Sequence, residues 1–229
     1  MAIGRQNGCM TADSSALDGW EHRQQAQAAA FDQIGERYDE VFPHKDGQRH
    51  IVDMLLARLP AAARVLDVGC GTGLPSAYQL VAAGCEVTGI DISPVMIDLA
   101  RRNVPGAIFL RRDALTIDAT LGRFDAAVAF FSLLMLTRRQ ITQTLAQLRA
   151  ALLPGGLLAV AMVEADLDDV ELPFLGQPIR VTGWPREKLR QVLDDAGFTV
   201  ETEDVRSYAP AVPEAPPEIQ LFLIARRDD

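Results

Sequence analysis

The feature that most constrains the fold is an alternation of strand-like and helix-like segments along the chain. Short apolar or β-branched runs occupy residues 64–68, 86–92, 107–110 and 124–131, and apolar residues at helical spacing lie between most of them. Strands that alternate with helices at this pace are typical of a doubly wound α/β domain, in which most strands are parallel. The alternation therefore predicts one such domain.

The later part of the chain completes the predicted sheet. Residues 157–163 are apolar at every position, which is typical of a parallel strand buried on both faces. A helix is predicted at 139–153, before this run, and another at 185–196, after it. Two consecutive strands, 198–208 and 219–225, then predict an antiparallel C-terminal hairpin. The expected fold is an α/β domain with a mostly parallel seven-stranded sheet and an antiparallel C-terminal strand.

Three regions are expected from the chain as a whole. Residues 1–18 are polar and aperiodic, and predict a disordered tail. Residues 19–60 predict a helical cap, with one helix over 20–38, and residues 61–229 predict the α/β domain. Within that domain, residues 164–183 are interpreted as a loop that overhangs the carboxyl ends of the strands and shapes an acceptor pocket.

Composition narrows the classes of partner. The chain has 31 acidic and 22 basic residues and a net charge of −9, which disfavours binding to phosphate backbones. No apolar run reaches the roughly 18–20 residues that a membrane span needs, and no basic start precedes an apolar core. Three cysteines lack any paired metal-ligand spacing. We expect a cytoplasmic protein without a metal site, a membrane partner or a nucleic-acid partner.

The most informative motif is the glycine-rich loop VLDVGCGTG at residues 65–73. It follows a predicted strand and opens a predicted helix, where glycines allow a sharp turn and close approach to a ligand. A dinucleotide-binding loop needs Gly-x-Gly-x-x-Gly. Counting from Gly69, the sixth position is Leu74, so the spacing disfavours a nicotinamide dehydrogenase.

Carboxylates follow the next two predicted strands. Asp91 ends the run EVTGID, 18 positions after Gly73, where a carboxylate can accept both hydroxyls of a ribose. Asp113 follows the third strand, where it can accept an adenine amine while the Ala114 amide meets a ring nitrogen. Because the ends of parallel strands share one edge of the sheet, these groups predict a nucleoside site. An alternative interpretation of Asp91 is that it only neighbours a helix cap, and an alternative for Asp113 is a solvated loop acid.

These motifs together resemble those of the class I S-adenosylmethionine-dependent methyltransferases. VLDVGCGTG resembles that family's first motif, VTGIDIS its ribose-binding motif and RRDAL its adenine-contacting motif, while FDAAVAFFSLLML and LRALLPGGLLAV resemble its fourth- and fifth-strand segments. The resemblance implies a Rossmann-like fold and S-adenosyl-L-methionine as cofactor. The residues assigned to cofactor binding are Tyr38, Asp67, Gly69, Cys70, Gly71, Gly73, Asp91, Ile92, Met96, Asp113, Ala114 and Phe130.

The resemblance also implies individual roles. Asp67 is expected under the methionine amino end, Asp91 on the ribose and Met96 against the adenine. Tyr38 and Phe42 fit a lid over the methionine end. For Tyr38 and Met96, ordinary core packing is an equal alternative.

The sequence indicates the catalytic and acceptor-binding residues less clearly than the cofactor-binding ones. All three histidines precede the glycine loop, and His44, in the turn FPHKDG, is the preferred general base, with a solvated turn residue as the alternative. Phe174, Leu175 and Trp184 indicate an apolar acceptor site. The acids between 164 and 171 are interpreted as solvated loop residues rather than as a metal site.

The preferred function is methyl transfer to an oxygen, nitrogen or carbon of a small, hydrophobic metabolite. The alternative is a fold that binds the cofactor without methyl transfer. The segment after the fourth strand lacks the acid/Asn-Pro-Pro-aromatic signature of many methyltransferases that act on nucleic acids or glutamine. The sequence leaves open which acceptor is used, which atom is methylated and whether the protein forms a homodimer.

Overall fold

The computed structural model describes residues 14–209 and 217–229, with side chains from Trp20 onward. Nine strands are formed in this part of the chain: β1 (Arg64–Val68), β2 (Glu86–Asp91), β3 (Ile108–Arg111), β4 (Phe124–Phe130), β5 (Leu152–Val163), β6 (Leu167–Phe174), β7 (Gln177–Gly183), β8 (Phe198–Tyr208) and β9 (Glu218–Arg227). The α-helices are α1 (Ser14–Ile34), α2 (Arg37–Val41), α3 (Asp46–Leu56), α4 (Ser76–Ala82), α5 (Pro94–Asn103), α6 (Arg138–Ala151) and α7 (Arg186–Asp195).

Seven strands form one sheet in the order β3-β2-β1-β4-β5-β9-β8. Strands β1 to β5 are mutually parallel, and β9 runs antiparallel to both β5 and β8. This confirms the predicted α/β class and the antiparallel C-terminal strand. The last strand lies inside the sheet rather than at its edge, between β5 and β8, and its residues from Gln220 to Ala225 are buried.

The core has two layers, one on each face of the sheet. Alternate strand residues point to opposite faces, so Val65 packs with Ile51 of α3 in one layer while Leu66 packs in the other with Ile141 of α6. Helices α3, α4 and α5 cover one face, and α6 and α7 cover the other. The carboxyl ends of β1 to β5 are thereby left free to form a site at one edge of the sheet.

The segment 164–183 is a β-hairpin, so the predicted loop is wrong. Strands β6 and β7 pair antiparallel and form a separate two-stranded sheet. The turn places Leu175 at φ 51° and Gly176 at φ 82°, the left-handed pair that a tight hairpin turn requires. Leucine at the first of these positions is a poor turn signal, and β6 is largely exposed, so neither composition nor alternation marks the hairpin in the sequence.

The N-terminal region also departs from the expectation. Helix α1 begins at Ser14, so residues 14–18 are helical rather than disordered; residues 1–13 lie outside the described part. The predicted helix over 20–38 is interrupted at Gly35, which adopts φ 49°. The chain turns there and starts the short helix α2.

Helix α5 begins as its sequence predicts. Ser93 Oγ accepts a hydrogen bond from the Met96 amide at 3.0 Å, and Pro94 occupies the first helical position. Cys70 and Cys85 are free thiols, and Cys9 lies outside the described residues. Within 14–209 and 217–229, the structure contains no helix long and apolar enough to cross a membrane.

Candidate active site

The glycine loop connects β1 to α4 and leaves open space beside its backbone. The amides of Gly69 and Cys70 both donate to the Ile90 carbonyl, at 2.8 and 3.0 Å, which ties the loop to β2. A Cβ on Gly69 would lie 2.2 Å from the Ser132 Cβ, whereas a Cβ on Gly71 would meet no atom within 4 Å. Gly69 is therefore required by packing, and Gly71 borders a space that a ligand can enter.

Asp91 is held in place by backbone amides. Its Oδ2 accepts from the Gly71 amide at 3.0 Å, and its Oδ1 accepts from the Ser93 amide at 2.9 Å. Burial raises the pKa of this carboxyl, and the hydrogen bonds from the backbone act against that rise. A carboxylate has about four lone-pair positions, so each oxygen keeps capacity to accept a hydroxyl from a ligand.

Asp67 is the more deeply buried acid, with only 4% of its surface exposed. Burial, and secondarily the charge of Asp91, raise the pKa of Asp67 to about 7. Two neighbouring acids in a desolvated place favour the arrival of a positive group, since a cation would stabilise both charges. The site thus has the electrostatic character that an ammonium ligand requires.

These groups line a cavity of about 130 Å³. Eleven of the twelve residues assigned to the cofactor border it: Tyr38, Asp67, Gly69, Cys70, Gly71, Asp91, Ile92, Met96, Asp113, Ala114 and Phe130. Gly73 is outside the lining, and a Cβ there would lie 3.0 Å from Val104, so its place is in packing of the loop against the end of α5. Met96 is buried and also lines the cavity.

The far end of the cavity carries Asp113 and a residue that the sequence analysis missed. Asp113 Oδ1 accepts from the Leu115 amide at 2.8 Å, and burial raises the pKa of this carboxyl. Arg112 also lines the cavity, and its guanidinium is paired with Asp118 at 2.8 Å. Arg112 adjoins Asp113 in the motif RRDAL, which is the only signal that could have pointed to it.

A second, larger cavity of about 470 Å³ adjoins the first. Five side chains border both: Phe31, Tyr38, Gln48, Phe131 and Met135. His44 lines only the larger cavity and is exposed. The structure therefore places His44 away from the acids of the smaller cavity.

The predicted apolar acceptor residues are only partly brought together. Phe174 lines the larger cavity. Leu175 instead packs against Ile34 and Val41, and Trp184 is buried in the core below α6. The larger cavity takes most of its apolar wall from residues that the sequence did not single out.

Of the five acids between 164 and 171, Glu164 and Asp169 are half-buried and paired with arginines, which corrects their interpretation as solvated loop residues, whereas Asp166, Asp168 and Glu171 are exposed as predicted. Both oxygens of Glu164 accept from the Arg186 guanidinium, at 3.1 and 3.0 Å. Asp169 accepts from Arg23 of α1 at 2.8 Å. In the described part of the chain, no group of three or more His, Cys, Asp or Glu side chains is arranged to hold a metal ion.

Helix α1 closes over the site through one buried glutamine. Gln27 donates to the Arg180 carbonyl at 3.1 Å and accepts from the Arg180 amide at 3.0 Å, so its amide pairs with the edge of β7 as another strand would. Gln27 is 4% exposed. A glutamine in a run of Gln and Ala carries no sequence signal of this contact.

Comparison with known proteins agrees with this architecture. The sequence profile described as a methyltransferase domain matches residues 65–156. A demethylmenaquinone methyltransferase of Thermus thermophilus is 31% identical over 185 positions, covering 68% of this chain and 82% of that protein. The chain belongs to the class I S-adenosylmethionine-dependent methyltransferases.

Other members of this family extend the comparison. A malonyl-[acyl-carrier protein] O-methyltransferase of Enterobacter lignolyticus is 37% identical over 158 residues; the match covers 68% of this chain but only 59% of that protein. The solved 1,6-didemethyltoxoflavin-N1-methyltransferase of Burkholderia thailandensis superposes with a TM-score of 0.67 at 23% identity, over 98% of this chain and 94% of the other. The comparison with the Burkholderia thailandensis structure shows a similarity of fold alone.

Proposed function

We propose that the protein transfers a methyl group from S-adenosyl-L-methionine to an oxygen, nitrogen or carbon of a small, largely apolar acceptor. The observation that carries the proposal is the pair of adjoining cavities. One is bordered by the glycine loop and three strand-end acids, and the other is largely apolar. Two cavities with a common wall provide what a transfer between two bound molecules requires.

The residues of the smaller cavity fit the cofactor. The space beside Gly71, which a Cβ would enter without contact, can take the ligand backbone. Asp91 keeps lone pairs for the ribose diol, and Asp113 with the Ala114 amide would hold the adenine. Asp67, whose charge is unfavourable without a cation, would face the amino group of the methionine end.

When bound, the cofactor supplies a methyl group made electrophilic by a positively charged sulfur. The part of this chain is to hold the acceptor in line and to exclude water. Tyr38 and Phe131 border both cavities, so they would lie beside the transferred group and help to exclude water from it. For an acceptor that keeps its proton at neutral pH, His44 at the larger cavity is the proposed proton acceptor.

The direct test is formation of S-adenosylhomocysteine. Purified protein with S-adenosyl-L-methionine is offered acceptors of four kinds, a carboxylate, a phenol, an amine and an acidic carbon, and the demethylated product is quantified. Turnover with one kind, lost in Asp91→Ala, supports the proposal. Cofactor binding by calorimetry without turnover on any kind would support the alternative of a fold that binds without transfer.

A further inference from the structure

The larger cavity contains a cluster of four aromatic rings. Phe42 is at its centre: its ring is stacked on Phe174 at 5.8 Å and on Tyr208 at 6.1 Å, and lies 5.2 Å from the ring of Tyr38. All four residues line the cavity. We call Tyr38, Phe42, Phe174 and Tyr208 the aromatic cluster. Ring faces carry partial negative charge, which attracts cations. The Tyr38 ring already has one, since Lys45 Nζ lies 5.0 Å from its centroid, so the rings of Phe174 and Tyr208 are the ones proposed for a ligand.

Most charged side chains around this cavity are already neutralised by a partner. Lys45 pairs with Asp39 and also donates to the Leu74 carbonyl at 3.0 Å. Glu164 is held by the two guanidinium contacts to Arg186 described above. These pairs leave little net charge on their side of the cavity, so neither is well placed to select the charge of a ligand.

Glu218 is the exception. It lines the cavity at the start of β9, directly opposite Tyr208 of β8 in the sheet register, so the two side chains are on one face. Its carboxylate accepts from Gln220 Nε2 at 2.7 Å and forms no ion pair with any other described residue. Of the segments outside the described ranges, residues 210–216, PAVPEAP, contain no lysine, arginine or histidine, and residues 1–13 contain one arginine, Arg5.

We propose that the larger cavity binds an acceptor with a flat apolar body and a positively charged nitrogen, which Glu218 and the aromatic cluster hold. A carboxylate beside ring faces is the combination that binds an ammonium group by charge and by cation–π attraction together. The inference rests on the proposed function, because it concerns the acceptor of that same site.

The charged nitrogen serves for recognition and is not the nucleophile. A protonated amine has no free lone pair to attack a methyl group, so the methylated atom is elsewhere on the acceptor. Burial raises the pKa of Glu218, which is the direction expected for a carboxylate that lacks a cation. A bound ammonium would restore the charged form and gain affinity from doing so.

The test compares two ligands that share a body and differ in charge, tryptamine and indole-3-propionate. Calorimetry with the protein saturated in S-adenosylhomocysteine is expected to show tryptamine binding at least tenfold more tightly. Glu218→Gln, which keeps the shape and removes the charge, is expected to reduce that preference at least fivefold. Glu187→Gln, an exposed acid on α7 outside the cavity lining, should keep it.

Equal affinity for the two ligands, a preference for the propionate, or an unchanged preference in Glu218→Gln would overturn the inference. Binding of S-adenosylhomocysteine by Glu218→Gln with wild-type affinity shows that the variant is folded. If S-adenosylhomocysteine does not bind to the wild type, the proposed function fails. The two indoles are then compared without it, and the same tenfold criterion decides this inference separately.

Discussion

The two cavities are assembled in different ways. The smaller one takes its polar groups from the ends of consecutive strands. Asp67 is the fourth residue of β1, Asp91 is the last residue of β2, and Asp113 lies just after β3. The larger one combines the N-terminal helices, the segment after β4, the end of β5 with the β6–β7 hairpin, and the β8–β9 pair. The first is therefore encoded in local motifs, whereas the second exists only after distant segments have packed.

The pH dependence of stability should separate the two cavities most strongly. Burial raises the pKa of Asp67 to about 7, against about 3.9 in an unfolded chain. The folded state keeps a proton that the unfolded state loses, so stability falls as pH rises from about 4 to about 7 and then levels off. The expected loss relative to Asp67→Asn is about 4 kcal/mol, a pKa difference of roughly 3 at 1.36 kcal/mol per unit.

Urea unfolding of both proteins at pH 4.5 and 7.5 should show about 3 kcal/mol of this loss, because part of the titration lies outside that interval. Glu164 of the larger cavity serves as the comparison, because its pKa shifts in the opposite direction: the hydrogen bonds from Arg186 lower the pKa of its carboxyl. Its contribution is retained above the unfolded pKa and is lost only as the pH falls below it. A wild type whose stability relative to Asp67→Asn is flat across the interval would remove the electrostatic contrast between the cavities.

The second prediction concerns the open space beside the glycine loop. Gly71→Ala is expected to weaken binding of S-adenosylhomocysteine by about 2–3 kcal/mol, because its Cβ would project where the cofactor is proposed to pass. Gly84→Ala introduces the same left-handed alanine, at φ 88°, with no atom within 4 Å.

Gly84 is exposed and outside the cavity lining. Gly84→Ala should lose roughly 1–2 kcal/mol of stability, as Gly71→Ala should. Its affinity for the cofactor should not change. Equal affinities of the two alanine variants for S-adenosylhomocysteine, by calorimetry, would argue against a ligand beside Gly71.

The third prediction tests the ribose assignment. Asp91→Ala should reduce cofactor affinity by about 1–3 kcal/mol, as expected for lost charge-assisted hydrogen bonds. Asp98→Ala removes an exposed acid from α5 that is paired only with Arg101, and should leave affinity unchanged. Calorimetry on the two variants decides it, and an unaltered affinity in Asp91→Ala would refute the assignment.

The smallest expected effect falls on the larger cavity. Phe42→Leu removes the ring at the centre of the aromatic cluster, where each aromatic pair contributes about 0.5–1.5 kcal/mol. Affinity for tryptamine should fall by about two- to tenfold, while affinity for S-adenosylhomocysteine stays at the wild-type value. A loss in cofactor affinity instead would mean that the two cavities are not separable.

The residues that line the smaller cavity could be predicted because their signals are local. The strand-loop-helix motif around Gly69 and the acids at strand ends need only the neighbouring residues to be recognised. Their place at one edge of the sheet follows from parallel strand order. Gly73 shows the limit of prediction from such motifs, since this residue is a glycine because of its contact with Val104 and does not line the cavity.

The walls of the larger cavity could not be predicted because their contacts join residues far apart in the chain. The hairpin of 164–183 is supported by Gln27, about 150 positions away, which binds the backbone of Arg180. The acids of this segment find arginines on α1, α6 and α7. No local pattern distinguishes such acids from solvated ones.

The amino-acid sequence by itself determined the α/β class, the seven strands of the main sheet and the acids that line the smaller cavity, because strand periodicity, capping and turn formation depend on neighbouring residues. Only the tertiary structure decided the shape and charge of the larger cavity. Its walls come from five separated parts of the chain, and whether Glu164 or Glu218 is neutralised depends on which arginine packing brings within reach.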